Sequence, residues 1–461
     1  MTPLRVIHAV AWVPWGTAAF ARAREENKCV LLAIAAPWSD ACREMDRRCY
    51  GDLELAAEIN RWFIPVRVDA DRRPDVADRY DLGGLPTTAF LNADGEILGG
   101  GTFVPPERLM EALGQARRQN LSASTLPLAA AEPQRGIVPI DQLIDQVFSA
   151  FDTKHAGFGS APKFPLVAPV RLALDLFRET GTAEMAGYAT RTLDAMAWNG
   201  LYDEQDGGFC RCAAHADWSE PQREKLLGIN AALLDLYLEA GVTFGNERWL
   251  ARAADVLEFV QGHLSVAPGE GWRSSVESDA TRLSDANATM ASATLRASQV
   301  FEDSTLREMA LQALEAVLLA TYRPGQGVAH CTGGVRGLLT DHAAMAAAHL
   351  DAWDLTGDVV YQMMAQELVQ FAVRTMAAGE GAFADRATLD DDVPLGLLHQ
   401  PLRPFALNCE IADVLHRLAR ATEDPAWHQL AVRALDAVEP DAAAQGPLAA
   451  HFILARRSLA R

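Results

Sequence analysis

The feature that most constrains the fold is an internal repeat in the second half of the sequence. Four segments align on a polar residue near the start of an Ala/Leu-rich helix, at Asn230, Asn287, His342 and Asn408, which are 57, 55 and 66 residues apart. A polar turn and a second amphipathic helix follow each of them, and residues 164–185 form an earlier, weaker copy. The repeat therefore predicts five αα-hairpins in sequence.

A second repeated signal predicts how these hairpins are arranged. Gly followed by an aromatic or small residue comes after each second helix, at Gly157-Phe158, Gly208-Phe209, Gly271-Trp272, Gly327-Val328 and, more weakly, Ala382-Phe383. One helix precedes the five hairpins ("IDQLIDQVFSAF") and one follows them ("PLAAHFILARRSLA"), as expected when both ends of the chain build a sixth hairpin. We therefore predict an (α/α)6 toroid over residues 139–461, whose inner helices begin at the repeated Asn and His positions. An open α-solenoid is the alternative.

Residues 1–120 predict a different fold, because strand and helix patterns alternate there. The runs "CVLLAIAA" (29–36) and "FIPVRVDA" (63–70) are continuously apolar, which is typical of strands buried on both faces. Asp94-Gly95 predicts a hairpin, and a helix that begins with proline follows it. The resulting order β-α-β-α-β-β-α is similar to the thioredoxin fold, in which Pro86 would be the cis-proline beside the active site. The fold class is thus multidomain α/β plus all-α, with a linker at 121–138.

The junction after the first long strand, "APWSDAC", carries Ser39 and Cys42 where a thioredoxin-like redox site has two cysteines. A serine hydroxyl is not ionised at neutral pH and forms no disulfide, so Ser39 cannot act as the attacking thiol. Serine is favoured at a helix N-cap, and Cys42 one turn later is expected to be a half-buried small hydrophobe. We therefore predict no dithiol redox activity. A monothiol role, in which Cys42 traps a partner, is the alternative.

Composition excludes several classes of function. The formal net charge of -20 argues against non-specific binding to nucleic acid or to anionic membranes. The longest apolar run, residues 29–38, is too short to span a bilayer, and the first residues lack the pattern of a secretory signal. Seven scattered cysteines form no disulfide framework. These features predict a cytoplasmic protein, and no motif for a cofactor is present.

The cysteines also provide no convincing metal site. Cys210 and Cys212 are separated by one residue, His215 would be a distant third ligand, and no fourth ligand is near in the sequence. Structural zinc sites need four ligands at characteristic spacings, so no metal site is predicted.

Several blocks together resemble the thioredoxin-domain-containing family that includes spermatogenesis-associated protein 20. The strongest are "AWVPWGTAAFARAREENKCVLLAI" (11–34), "VDADRRPDV" (68–76) and "GFGSAPKFP" (157–165), and "GLYDEQDGGFCRC" (200–212) and "PQREKLLGINA" (221–231) are weaker. The resemblance implies a thioredoxin-like domain fused to a toroid akin to glycosidases and sugar epimerases, with an activity that is largely undefined. It also implies a Cys-x-x-Cys motif, which is Ser39-x-x-Cys42 in this sequence.

Sugar chemistry needs a general acid and a base or nucleophile, so carboxylates and histidines at loops and inner-helix starts are the catalytic candidates. They are Asp203, Glu224, Asp285, His330 and Asp341. Cationic or polar side chains that could bind a ligand are Lys163, Lys225, His342 and Arg403. Helix capping and structural ion pairing are the alternatives for these residues.

These residues are expected to converge at one mouth of the toroid, because each hairpin returns the chain to the start of the next inner helix. Helix N-termini aimed at the centre would favour an anionic or sugar-like small molecule. The alternative is a non-catalytic scaffold that holds a protein partner at the thioredoxin-like surface around Trp38, Ser39 and Pro86.

Overall fold

The chain forms two compact units. A computed structural model describes residues 10–122, 136–389 and 394–461, without the side chains of 119–122. The first unit is Met1–Ala131 with Leu389–Pro401, and the second is Glu132–Thr388 with Leu402–Arg461. The expected linker at 121–138 lies largely outside the described residues, so the domain boundary stays a prediction.

The first unit is a mixed five-stranded sheet with helices on both faces. Its strands are β1 (Val13–Pro14), β2 (Cys29–Ala35), β3 (Phe63–Asp69), β4 (Thr87–Leu91) and β5 (Ile97–Gly101). Its helices are α1 (Thr17–Glu25), α2 (Asp40–Met45), α3 (Leu53–Trp62), α4 (Pro74–Tyr80) and α5 (Pro106–Ser122), with a π-helical turn at Asp46–Tyr50. The strand order is β1-β3-β2-β4-β5, in which β2 is parallel to β3 and antiparallel to β4.

The apolar runs of the sequence form the centre of this sheet. Every residue of β2 is buried, and alternate residues enter two separate cores, Leu31 and Ala33 on one face and Leu32 and Ile34 on the other. This two-sided burial explains why the strand is apolar throughout instead of alternating. The predicted α/β fold is confirmed.

One core of the first unit is completed by residues from much later in the chain. Leu398, in a short 3-10 helix at Gly396–His399, is buried against the core that α1 and α4 share with the sheet. The Tyr80 hydroxyl accepts a hydrogen bond of 2.9 Å from the Leu397 N–H, and Arg79 donates one of 3.1 Å to the Leu397 carbonyl. The segment lies within the range 139–461 that the repeat predicts to be toroid, and nothing in its composition predicts its place here.

The second unit is a closed ring of helix pairs. The inner helices are α7 (Val167–Thr180), α9 (Leu227–Phe244), α11 (Ser284–Val300), α13 (Leu339–Thr356), α15 (Phe405–Thr422) and α17 (Ala450–Leu459). The outer helices are α6 (Ile140–Ser149), α8 (Ala183–Trp198), α10 (Glu247–Phe259), α12 (Ser304–Thr321), α14 (Val359–Thr375) and α16 (Pro425–Val438). Each inner helix packs against the next, α17 packs against α7, and α6 packs against α17. The (α/α)6 toroid with a sixth hairpin built from both ends is confirmed, and the open solenoid is wrong.

The repeated Asn is a structural anchor. Asn287 accepts a hydrogen bond of 2.8 Å from the Trp272 N–H and donates one of 2.9 Å to the Trp272 carbonyl. Asn230 and Asn408 bind Phe209 and Phe383 in the same way. The glycine before the anchored residue is required by space, because a Cβ at Gly271, whose φ is +91°, would lie 2.6 Å from the Asn287 amide oxygen.

A second set of hydrogen bonds joins neighbouring loops into one rim. The first N–H groups of α9, α11 and α13 donate to the carbonyls of Ser274, His330 and Asp385 at 2.8 Å each. The Gly-aromatic loops and the starts of these inner helices therefore share one end of the ring, as the repeat predicts. We call this end the mouth.

Helix α9 also has the length and hydropathy of a membrane span, with a mean hydropathy of 1.3 over 18 residues. Among the described residues it is the one helix that is both long enough and apolar enough to span a membrane. In this structure 56% of it is buried inside the protein. Its place as an inner helix of the ring accounts for its apolar composition.

The anchor predicts a measurable loss of stability. Asn287→Ala leaves a buried N–H and a buried carbonyl of Trp272 unpaired. Each unpaired group costs about 1–3 kcal/mol of folding stability. We expect the free energy of unfolding to fall by at least this amount in urea, followed by the helical circular dichroism signal. The control, Gln299→Ala at an exposed position, should change it by less than about 0.5 kcal/mol. Equal effects of both substitutions would contradict the anchor.

Candidate functional site

The centre of the ring is lined by polar residues that solvent reaches. On α15, Glu410, Asp413 and Arg417 are exposed or half-exposed, and the residues between them are buried. On α9, Asp235 and Glu239 are likewise half-exposed, and the residues between them are buried. Positions spaced three or four apart lie on one face of a helix, so α9 and α15 each present one polar, solvent-exposed stripe to the ring axis.

Ion pairs between inner helices confirm that these stripes face one another. Arg171 on α7 contacts Asp235 and Glu239 on α9 at 2.5 and 2.9 Å, and Arg296 on α11 contacts Asp235 as well. Further pairs join α13 to α15 and α17 to α7: they are Arg417–Asp351 and Arg457–Asp175. At the end opposite the mouth, a cavity of about 520 Å³ is lined by charged residues of α7 and α17. Charge pairs thus line the ring centre.

Glu410 is an acid of this lining that has no ion pair with arginine among the described residues. Its side chain is 49% exposed, and His451 Nδ1 lies 3.8 Å from Glu410 Oε1. No Arg or Lys in the described part of the chain lies within ion-pair distance of it. Desolvation by the ring wall raises the pKa of Glu410 to about 7; Arg171 opposes this shift, while Asp285 and Asp413 add to it.

His451 cannot neutralise Glu410 at neutral pH. Burial, with a smaller contribution from Arg171, lowers the pKa of His451 to about 4, so its imidazole is uncharged at pH 7. A carboxyl group that titrates near pH 7 therefore lies next to a neutral imidazole, and solvent reaches both. This pair can hold and transfer a proton under physiological conditions.

Sequence reasoning missed Glu410, His451 and Arg171, although the repeat contained a signal for the first. Glu410 lies two residues after the anchor Asn408, and the residues at the same register in α9, α11 and α13 are Ala232, Thr289 and Ala344. All three of these are half-exposed. A charged residue at this register could have been predicted to face the ring centre.

Three of the five predicted catalytic residues come together at the mouth. His330 Nδ1 lies 2.8 Å from Asp341 Oδ1 and 4.0 Å from Asp285 Oδ1. Asp285 is half-buried and accepts a hydrogen bond of 3.2 Å from the Thr340 hydroxyl. Burial raises the pKa of Asp341, and the interaction with His330 opposes this shift. The arrangement joins the first turns of α11 and α13 to the loop between α12 and α13.

The other two catalytic candidates lie in a separate group. Asp203 Oδ1 accepts hydrogen bonds from the N–H groups of Gln205 and Asp206, and Asp203 Oδ2 lies 2.8 Å from Lys225 Nζ. Lys225 also lies over the ring of Phe259, 5.2 Å from its centroid. Glu224 is buried, and its carbonyl accepts the Arg211 N–H. These contacts stabilise a loop, the alternative considered for these residues.

The predicted ligand-binding residues also take structural positions. Lys163 is completely buried, and its ammonium contacts Asp152 Oδ2 at 2.6 Å and the Ala216 carbonyl at 2.8 Å. His342 replaces Asn in the anchor: Nδ1 donates to the Leu338 carbonyl, and Nε2 accepts from the Val328 N–H. Burial lowers the pKa of His342 to about 4, consistent with this neutral tautomer.

Arg403 differs from these residues because it is exposed, two residues before α15 begins. Neither Lys163 nor His342 faces the ring centre, so in this structure both support the loops of the rim.

In the first unit, Ser39 caps α2 as the sequence predicts, and its hydroxyl accepts the Cys42 N–H at 3.3 Å. Cys42 is only 2% exposed, and burial raises the pKa of its thiol. Trp38 is buried and donates to Asp71 at 2.9 Å, and the Leu85–Pro86 peptide is cis.

Comparisons with known sequences support the resemblance. A family described as "Protein of unknown function, DUF255" (Thioredox_DsbH) matches residues 4–121. Spermatogenesis-associated protein 20 of Homo sapiens is 29% identical over 322 residues, which is 60% of this chain and 40% of that protein. Uncharacterized protein B0495.5 of Caenorhabditis elegans is 27% identical over 271 residues, 51% of this chain and 37% of its own length. This chain therefore spans only about 40% of these relatives.

Solved structures support the toroid. Cellobiose 2-epimerase from Bacillus thermoamylovorans B4167 superposes with a TM-score of 0.54 at 12% identity, covering 65% of this chain and 87% of that one. The GH76 α-mannanase BT2949 of Bacteroides thetaiotaomicron superposes with a TM-score of 0.53 at 11% identity, covering 70% of this chain and 96% of that one. A D-mannose isomerase superposes with a TM-score of 0.54 at 13% identity, covering 64% of this chain and 84% of that one. At these identities the likeness establishes the fold alone.

The raised pKa of Glu410 predicts how stability depends on pH. The folded-state pKa of about 7 lies above the ordinary glutamate pKa of 4.5, so the native protein loses stability as Glu410 ionises between these values. Glu410→Gln removes this loss. We expect the free energy of unfolding of the variant, relative to wild type, to increase from about pH 5 to about pH 8.

Glu239→Gln is the matched control, because the pKa of this ion-paired acid is lowered, by Arg171 and Arg178, against the effect of burial. Its effect on stability should be constant between about pH 5 and about pH 8. Parallel curves for wild type and Glu410→Gln would show that the Glu410 pKa is not raised.

Proposed function

We propose that the toroid binds a carbohydrate or a similar polyhydroxyl molecule in the ring centre, with Glu410 as the group that transfers a proton. The observation that carries this proposal is geometric: the exposed Glu410 lies 3.8 Å from His451 and has no arginine partner among the described residues, while Asp235, Glu239 and Asp351 on other inner helices are paired with arginine.

The surroundings of Glu410 support a polar ligand. Arg171 and His451 project from the two inner helices that follow α15 around the ring, so donors and acceptors line one side of the centre. Clefts that bind small molecules use a few convergent polar groups to orient them, and sugar hydroxyls pair well with carboxylates, imidazoles and guanidinium groups. The superposed structures include proteins described as a sugar epimerase, an isomerase and a mannanase.

The chemistry of the Glu410–His451 pair favours proton transfer at carbon over hydrolysis as the reaction class. A carboxyl with a pKa near 7 can donate a proton at neutral pH, and a neutral imidazole 3.8 Å away can accept one. Epimerisation or isomerisation of a reducing sugar needs one group to remove a proton and another to return it. Hydrolysis would instead use Glu410 as the acid toward a glycosidic oxygen.

Incubation with reducing sugars in D₂O tests both reaction classes. Deuterium exchange at C2, followed by NMR with mannose, glucose and cellobiose, reports proton transfer, and release of monosaccharide from cellobiose reports hydrolysis. We expect Glu410→Gln to lower the rate by at least about 100-fold. Asp351→Asn, an acid on the axis paired with Arg417, should stay close to wild type. No exchange and no hydrolysis, or equal rates in Glu410→Gln, would reject the proposal.

For the first unit we propose a thioredoxin-like fold without a dithiol redox cycle. The support is the buried Cys42, whose thiol pKa is raised, next to a serine that caps the helix. The monothiol alternative needs a reactive, accessible thiolate, which this environment disfavours. The alternative of a partner surface around Trp38 and Pro86 has little support because both side chains are buried. A cavity of about 220 Å³ is lined by Asp71 and Leu85, among other residues of this unit.

An insulin-reduction assay with dithiothreitol tests this proposal. The wild-type protein should show no rate above buffer, because a single buried thiol cannot form and resolve a mixed disulfide with insulin. Cys42→Ala is the control and should be indistinguishable from wild type. Turnover that Cys42→Ala abolishes would overturn the proposal. Ser39→Cys is the variant that would be needed to restore activity.

A further inference from the structure

We propose that Asp285, His330 and Asp341 bind a divalent transition-metal ion, of the Zn²⁺ or Mn²⁺ type, at the mouth of the ring. The proposal does not depend on carbohydrate binding. The sequence predicts no metal here, because the three residues are far apart along the chain.

The spacing of the donor atoms suits a metal ion. One ligand atom from each residue lies within 4.8 Å of the other two, and His330 Nδ1 is 2.8 Å from Asp341 Oδ1 and 4.0 Å from Asp285 Oδ1. Ligands bonded at about 2.0–2.2 Å lie about 3–4 Å from one another around a four- or six-coordinate ion. Small side-chain adjustments would therefore place an ion between the three residues.

The buried carboxylate of Asp341 is an independent indication of a ligand. Asp341 is 0% exposed, and its Oδ2 has no hydrogen-bond partner among the described residues. A buried carboxylate oxygen without a partner is costly, and native structures satisfy such groups. Asp75, another acid with a fully buried side chain, shows the usual solution: both of its oxygens accept hydrogen bonds of 2.8 Å from Arg73. Within the described part of the chain no side chain donates to Asp341 Oδ2, and a metal ion bound at this carboxylate would compensate its charge.

The donor set indicates the class of metal. Two carboxylates provide the negative charge that a divalent ion needs, and an imidazole nitrogen favours a transition metal or zinc over Mg²⁺ or Ca²⁺, which prefer oxygen ligands. Three protein ligands leave coordination positions for water or a bound molecule. Asp285 provides the path to solvent, because 29% of its side chain is exposed.

Metal uptake by the full chain tests the site directly. After treatment with a chelator and its removal, the protein is titrated with Mn²⁺, followed by electron paramagnetic resonance, and with Zn²⁺, followed by calorimetry. We expect one bound ion per chain. Asp341→Asn preserves the shape of the side chain and should weaken binding by at least the 10–100-fold typical of groups that support a metal site. Circular dichroism confirms that the variant is folded.

Asp203→Asn is the matched control, because Asp203 is also an acid of the rim but is paired with Lys225. It should bind the ion as wild type does. If Asp341→Asn fails to fold, Asp285→Asn, at a half-exposed position, replaces it with the same expectation. No stoichiometric uptake of either ion, or equal uptake by wild type and the ligand variant, would overturn the proposal. Loss of sugar turnover alone would not affect it.

Discussion

A buried amide that binds the backbone of a distant loop residue is the interaction on which the toroid depends. Asn230, Asn287 and Asn408 each bind both the N–H and the carbonyl of one residue, so a single side chain fixes the loop against the inner helix. At the fourth position His342 keeps only the bond to the N–H, through Nε2, and stacks on Phe371 at 4.7 Å. A protonated imidazole could not accept that bond, so the anchor requires the neutral form.

The anchors also determine where functional groups can lie. Because each inner helix begins at a fixed place relative to its loop, the residues two before and two after the anchor take the same position in every repeat. Asp285 lies two before Asn287, and Glu410 lies two after Asn408. Deeper in the ring, arginines neutralise the acids, since unpaired charges in a confined centre would be poorly solvated. The uncompensated groups are therefore concentrated near the mouth.

The sequence predicted the architecture better than the site, for physical reasons. Buried strands such as Cys29–Ala35 and a polar anchor that recurs every fifty to seventy residues leave strong patterns. The inner helices are Ala-rich and apolar on most of their surface, so periodicity does not show which side faces the axis. Lys163 and Asp203 match the pattern of charged loop residues that often have chemical roles, but each is paired with a nearby partner. The contribution of Leu398 to the first unit has no local signal, because it depends on tertiary contact alone.

The dependence of the first unit on residues 394–401 has a consequence for how the protein is made. Domains generally fold in the order in which they leave the ribosome. Here the sheet is synthesised first, but the side chains that cover Tyr80 follow only after inner helices α7 to α13 have been translated. During that interval, part of the apolar core around α4 is exposed to solvent. A nascent chain that has not yet released residues 394–401 from the ribosome would therefore present this apolar surface uncovered.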